Sequence, residues 1–427
     1  MATHNAGSVD PSFGDNGSTK IAFDGLTNIR ATSLISQDNG ETIACFHCIA
    51  PQFTFLKYGI TRLKENGQVD LEFGDSGYVS DYMIAEDRVV SPKAIATPDG
   101  GILCWSEVRP DNAQQNYAET YALVRLDRSG ARDREFGTDG VCIVPKKPFP
   151  KKPVPETGIF GVLDVATRAN GNIIILAGEY HKLSDSSGAI EKSDTLIETY
   201  FIELTPKGKI SKAFGQAGFV SITQNIRGVV SAQMIAMKNE KIIVHGKRGP
   251  RGMLSRFNAD GSIDESFGGE GRGFVYFSTE EGNKPVHLVN VLHNNGSLLC
   301  IAEEYNYLTS VGFVAVYNED GSAKLTFHRG ERLYAADGEY DFTWSAGVID
   351  HEGQCLTTGV KCPSGVQESA CFLYSKDGSI DDNHLLTTDD VVLLSIQNDS
   401  KIVSCQVNNG EWLIARYLSM ERNANPK

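Results

Sequence analysis

The sequence predicts an all-β fold, a seven-bladed β-propeller with four antiparallel strands per blade. Three observations carry this: a glycine-to-Phe-Gly unit recurs seven times, a tight hairpin recurs seven times, and the chain ends hold complementary parts of one unit. A period near sixty residues is that of a repeat array, and one closed array can be far longer than an ordinary domain.

The glycine units come first. They read GSVDPSFGDNG from Gly7, GQVDLEFGDSG from Gly67, GARDREFGTDG from Gly130, GKISKAFGQAG from Gly208 and GSIDESFGGEG from Gly261. Two decayed copies follow, GSAKLTFHRG from Gly321 and GSIDDNHLL from Gly378. Upstream of each glycine lies an alternating run such as YALVRLDRSG, predicted as strand C of a blade. Downstream lies a short β-branched or aromatic run such as GFVSIT, predicted as strand D. Between units stand hairpins with turn residues at their tips, such as SLISQDNGETIAC and VATRANGNIIIL, predicted as strands A and B. No helical period appears.

The ends then fit together. The chain opens on the glycine unit and a D-type run, GSTKIAF, with no A, B or C before it. It finishes on A and B, VVLLSIQNDSKIVSCQV, and a C-type run, EWLIARYL. The N-terminal strand near Gly17 to Phe23 is therefore expected to complete the last blade beside Glu411 to Leu418, which leaves no unpaired blade. One propeller domain over 1–427 is expected, with blades near 27–84, 86–145, 158–223, 226–278, 284–335, 341–388, and 389–418 plus 8–24.

Residues within the unit have readable roles. The fourth-position acids Asp10, Asp70, Asp133, Asp264 and Asp381 are expected to accept backbone N–H bonds in Asx-type turns. The seventh-position rings Phe13, Phe73, Phe136, Phe214, Phe267 and Phe327 are expected to plug against the neighbouring blade. Runs such as NADGSID lack the full ligand set of a calcium loop. The pattern resembles the bacterial delta-60 repeat family, roughly Leu-x-x-x-Gly-x-x-Asp-x-x-Phe-Gly-x-x-Gly-x-Val, over essentially the whole chain. RLDRSGARDREFGTDGV from Arg125 matches it well. Lys324 in place of Asp, His328 in place of glycine and His384 in place of Phe put the C–D turns of the last two full blades in question. The resemblance implies a β-propeller of mostly unassigned function and supplies no catalytic residues.

Bulk properties narrow the partners. A net charge of −14 over 427 residues disfavours nucleic acid and anionic lipid, which need clustered Lys and Arg. No signal peptide or membrane span is expected, so the location is cytoplasmic, or exported without a classical signal. Nine scattered cysteines read as buried thiols rather than a disulfide framework. Cys45-Phe-His-Cys48 places two thiols three apart on a strand, where they face opposite sides. No cofactor or metal motif is present, and His245 in KIIVHGK reads as a core histidine.

Function is sought on the face where loops vary. The D–A and B–C loops differ in length while the A–B and C–D turns do not, and irregular loops on a rigid scaffold carry function. Arg30, Arg88, Tyr180, His181, Arg227, Tyr305, Tyr307 and Trp344 are the candidate ligand-binding residues there. Lys146 to Pro155, KKPFPKKPVP, is expected to be an extended connection. The main expectation is a non-enzymatic scaffold for a protein or glycan. The alternative is an enzyme with a central-channel site, a metal-assisted hydrolase, lactonase or lyase, to which Asp389, Asp390, His287 and Asn28 could contribute.

Overall fold

The computed structural model describes residues 8–23, 27–49, 56–84, 87–110, 120–146, 158–181, 195–223, 233–236, 239–268, 271–277, 284–294, 296–306, 309–335, 341–362, 368–381, 390–408 and 411–418, a few of them at strand ends by backbone alone. The fold is all-β, a seven-bladed propeller of four-stranded antiparallel sheets, and among the described residues it carries one short 3-10 turn, at His328–Gly330. The chain divides into two compact units. One unit spans Met1–Phe53, Tyr58–Asp81 and His287–Lys427; the other spans Thr54–Lys57 and Tyr82–Val286.

Strand β1 (Ser18–Ile21) comes first and belongs to the last blade. Blade 1 is β2 (Thr27–Ser36), β3 (Thr42–Ile49), β4 (Leu56–Leu63) and β5 (Tyr78–Asp81). Blade 2 is β6 (Asp87–Ala96), β7 (Ile102–Pro110), β8 (Thr120–Leu126) and β9 (Val141–Ile143). Blade 3 is β10 (Gly158–Thr167), β11 (Ile173–His181), β12 (Thr195–Leu204) and β13 (Phe219–Ser221). Blade 4 is β14 (Gln233–Ala236), β15 (Ile242–Arg248), β16 (Arg251–Phe257) and β17 (Phe274–Phe277).

Blade 5 is β18 (Val286–Asn294), β19 (Ser297–Asn306), β20 (Thr309–Asn318) and β21 (Leu333–Tyr334). Blade 6 is β22 (Asp341–Ile349), β23 (Cys355–Cys362), β24 (Glu368–Tyr374) and β25 (Ile380–Asp381). The last blade is β26 (Asp390–Ile396), β27 (Ile402–Asn408) and β28 (Glu411–Tyr417), with β1 on its outer edge. Ser18 to Ile21 run antiparallel to Ala415 back to Trp412. The two ends of the chain therefore complete one sheet, and the edge of β28 is paired.

Local chemistry explains these elements. Central strands such as Ile173–Leu176 and Ile242–Val244 are buried on both faces, which a run of β-branched and aliphatic residues tolerates. The A–B hairpins close with paired backbone bonds, as in Gln37 N to Glu41 O at 2.8 Å and Gly40 N to Gln37 O at 3.0 Å. The C–D turns repeat one backbone pattern. The amide of the fourth motif position donates to the carbonyl eight residues earlier, Asp70 to Arg62 at 2.9 Å and Asp264 to Arg256 at 2.9 Å. Lys324 donates to Val316 at 3.0 Å, so the turn that the sequence put in question in blade 5 is formed. The segment around His384 lies outside the described residues.

The motif carboxylates accept amides two residues on, Ser12 N to Asp10 at 3.0 Å and Glu135 N to Asp133 at 3.0 Å. The motif phenylalanines are all buried, and each such burial stabilises by about 1.5–3 kcal/mol. Within each unit they meet the next blade. A Cβ built on Gly67 would lie 2.6 Å from the Phe13 ring, and one on Gly208 would lie 2.9 Å from the Phe136 ring.

Sequence reading missed the partner of these pieces, an arginine on strand C, five residues before the motif glycine in blades 1 and 4 and at the matching strand position in the last blade. Arg62, Arg256 and Arg416 ion-pair with Asp70, Asp264 and Asp10 at 2.5, 2.7 and 2.9 Å. Each guanidinium also lies over the motif ring, 4.8 Å from Phe73, 5.1 Å from Phe267 and 4.8 Å from Phe13. It reaches the following blade as well: Arg125 Nη1 donates to Pro206 O at 3.0 Å, and Arg416 Nη1 donates to Glu65 O. In blade 3, Glu203 stands where arginine is expected. Arg168 from the A–B turn supplies the cation instead, 3.0 Å from Glu203, and donates to Ala259 O at 2.6 Å.

Candidate functional site

Among the described residues, the strongest grouping of polar and aromatic side chains outside the repeated clamps is in blade 5. Its core is strand β19, where Cys300 to Glu303 are buried. Successive side chains on a strand alternate faces, so Glu303 and Tyr305 share one side and Glu304 takes the other. Tyr305 Oη donates to Glu303 Oε2. The second oxygen, Glu303 Oε1, accepts the Trp344 backbone amide from β22 at 2.8 Å. Glu303 is only 2% exposed, so both oxygens are satisfied within the protein.

The opposite side holds a second group. Arg332 pairs with Glu304, and Tyr334 Oη donates to the same Glu304 oxygen at 3.1 Å. The Arg332 guanidinium lies 4.8 Å from the Phe313 ring centroid. Tyr305 and Tyr334 remain 39% and 41% exposed, so two aromatic rings face solvent while their hydroxyls are anchored. The His287 ring lies 6.5 Å from that of Tyr305.

Burial, then the Glu303 hydrogen bond and charge, push the Tyr305 phenol well above the usual tyrosine range. Burial and Glu304 raise Tyr334 against the pull of Arg332. Both phenols are therefore neutral donors at ordinary pH, and neither is a base. Each side of the strand thus presents one anchored, half-exposed aromatic ring to solvent.

The expected site residues are not brought together as a set. Tyr305, His287 and, through Glu303, Trp344 share this region. Trp344, expected on a loop, is buried instead. It lies against Phe342 and Phe372 at 4.5 and 5.9 Å, with Nε1 donating to Ala302 O at 3.0 Å. Gly312 leaves room for this, since a Cβ there would lie 2.6 Å from Phe342. Arg30 is exposed on β2 opposite His47, and Arg88 is half-buried on β6 opposite Arg109. Tyr180 and His181 end β11, and Asn28 and Asp390 lie in β2 and β26; their side chains lie outside the described residues. Arg227, Tyr307, Asp389 and the segment 147–155 also lie outside them. Glu303, Glu304, Arg332 and Tyr334 were missed; the paired acids before Tyr305 were the available signal.

Other chemistry is confined to turns and strands. Ser400 Oγ lies 2.7 Å from His351 Nδ1, and His351 Nε2 lies 3.5 Å from Glu352. Ser400 is 2% exposed and holds a left-handed backbone, φ 61°, at a hairpin tip. A hydroxyl so enclosed fastens two hairpins and is not placed to attack a carbonyl. Asp164 on β10 accepts Met234 N at 2.8 Å and Val165 N at 2.9 Å; burial raises its carboxyl against these bonds and Lys93. The eight described cysteines are thiols rather than disulfides, Cys45 and Cys48 among them. Among the described residues no three His, Cys, Asp or Glu side chains are grouped to hold a metal ion. No described helix is long and apolar enough to cross a membrane.

Comparison with known proteins places the architecture. Residues 239–267 match a family model described as a domain of unknown function (DUF5122) β-propeller. No curated protein matches the sequence. Prolyl oligopeptidase B from Galerina marginata is 12% identical with a TM-score of 0.50, covering 93% of this chain and 50% of that one. An acylaminoacyl peptidase from Pyrococcus horikoshii is 8% identical with a TM-score of 0.48, covering 93% of this chain and 53% of that one. The β-propeller domain of the Trilobed protease from Pyrococcus furiosus is 8% identical with a TM-score of 0.45, covering 94% and 96%. The chain thus spans about half the length of the two peptidases. The solved structure with a TM-score of 0.50 is that of a peptidase, so the expectation of a non-enzymatic scaffold finds no support here and is not carried further. At these identities the likeness shows the fold, and the fold is that of a β-propeller.

Proposed function

We propose that this chain is an enzyme-related propeller that handles peptides for hydrolysis, with the blade 5 group as a contact for apolar or proline-bearing side chains. The observation that supports this reading is the half-exposed Tyr305 ring, whose hydroxyl is fixed by Glu303. Anchored rings lose little entropy on binding. The propeller of an oligopeptidase is the fold it is similar to. We also infer that all seven units are delta-60-type repeats, which the motif in blades 1, 2, 4 and 7 supports.

The test pairs hydrolysis with binding. The intact natural protein is assayed against fluorogenic peptides carrying proline or aromatic residues, and binding of the same peptides is followed by calorimetry. The expected result is peptide cleavage, with binding weakened by roughly 1 kcal/mol, about fivefold, in Tyr305→Ala. Absence of both cleavage and saturable binding overturns the reading.

A further inference from the structure

Blade 5 departs from its sister blades at one niche. In blades 1, 4 and 7 a carboxylate of the chain sits there: Asp70, Asp264 and Asp10. Each is held by the arginine of its own strand C, and a lysine approaches as well. Lys241 lies 2.9 Å from Asp264, Lys64 lies 3.7 Å from Asp70, and Lys401 lies 4.0 Å from Asp10.

In blade 5 both members of the pair are replaced. Val316 stands at the arginine position and Lys324 at the aspartate position. Where blades 4 and 7 carry Lys241 and Lys401, blade 5 carries Ser297. The niche keeps an ammonium and has no carboxylate at the motif position. Lys324 Nζ donates to the buried Ser297 Oγ at 2.6 Å, a neutral partner with no charge to offset it.

A groove of about 350 Å³ opens between blades 5 and 6, at the lower end of the range for small-molecule sites. Val316, Phe327 and Ile349 give it an apolar lining, and Lys324 and Lys376 contribute its cations. Two carboxylates also line it: Asp377, which accepts the Ser379 amide at 2.9 Å and hydroxyl at 2.8 Å, and the half-exposed Glu352, 3.5 Å from His351. The walls are fixed by His328 N donating to Asp377 O at 2.8 Å.

We propose that this groove binds a small monocarboxylate with an apolar body. The external carboxylate takes the place on Lys324 that the internal aspartates take in the sister blades, and the body lies along Val316, Ile349 and Phe327. An alkanoic acid and the free C-terminus of an apolar peptide share this chemistry. The site does not depend on the peptide-handling role of the Tyr305 region.

The test is calorimetric titration of the protein with hexanoate, hexanamide and N-acetyl-leucine. Hexanoate is expected to bind saturably and at least tenfold more tightly than hexanamide. Tighter binding of N-acetyl-leucine than of hexanoate assigns the site to peptide C-termini, and the reverse assigns it to alkanoic acids. Lys324→Met and the milder Lys324→Gln are each expected to weaken hexanoate at least tenfold while circular dichroism stays unchanged. The double variant Val316→Arg with Lys324→Asp rebuilds the sister pair and is expected to abolish binding. Equal binding of hexanoate and hexanamide, or undiminished binding by Lys324→Gln, overturns the proposal.

Discussion

Arg416 and Asp10, 406 residues apart in sequence, form a buried pair in which Arg416 Nε donates to Asp10 Oδ2 at 3.0 Å. Both residues are 4% exposed. The pair copies Arg62–Asp70 and Arg256–Asp264, which are only eight residues apart. Asp10 N donating to Arg416 O at 2.9 Å repeats the in-chain backbone bond too. The two chain ends are thus joined by the device that folds each internal turn.

Breaking this pair is expected to destabilise the first unit. Removing one partner of a buried pair leaves an uncompensated charge, at a cost of about 3–5 kcal/mol. Arg416→Met or Asp10→Asn is expected to lower the urea midpoint accordingly, and deletion of residues 8–23 to lower it further, since β1 and Phe13 leave with them. A truncated chain that unfolds at the wild-type midpoint would show that the seal carries no stability.

Gly67→Ala tests the contact between neighbouring blades. Gly67 has φ 81°, and a Cβ there would lie 2.6 Å from both the Gly14 amide and the Phe13 ring. Left-handed strain and the clash together are expected to cost about 2–3 kcal/mol in thermal or chemical unfolding. Gly249→Ala is the contrast: its φ is 59°, but nothing lies within 4 Å of its Cβ, so only the strain contributes and the loss is smaller.

Acid is expected to loosen the clamps. Burial alone would raise Asp264, but hydrogen bonds from Ser266 and Lys241 and the charge of Arg256 outweigh it and hold the carboxyl well below its usual range. Asp10 and Asp70 are lowered in the same way. A carboxyl depressed in the folded state contributes stability in full above its unfolded value, near pH 4, and loses it as pH falls through the folded value. Stability is therefore expected to drop below about pH 4, with a shallower slope in Asp264→Asn. An identical slope in that variant would assign the acid sensitivity to other groups.

Thiol reactivity is expected to report unfolding. Burial pushes Cys142 up to about 11 and Cys405 up to about 12, so both are protonated and enclosed at neutral pH. Cys371 is the one half-buried thiol among the eight described. With a chromogenic disulfide at pH 8, Cys371 is expected to react ahead of the other described thiols, which follow on denaturation. Loss of that early phase in Cys371→Ser checks the assignment, and rapid reaction of Cys142 in the native protein contradicts it.

Sequence alone determined the strand count, the hairpins, the Asx turns at Asp10 and Asp133, and the pairing of β1 with β28. These depend on period-two alternation and on turn chemistry within about ten residues, or on the phase at which the chain begins and ends. Tertiary structure decided the rest. Arg62 and Arg416 looked like ordinary polar positions of alternating strands, because their carboxylate and carbonyl partners are reached only when a turn folds back and the next blade arrives. Trp344 read as a candidate ligand-binding residue of the variable face and is core instead, with Glu303 and Ala302 of blade 5 satisfying its amide and its indole. Lys324 read as a flaw in a motif and became a cation lining a groove, because the blade 6 turns that form the other wall come beside it only when the blades pack.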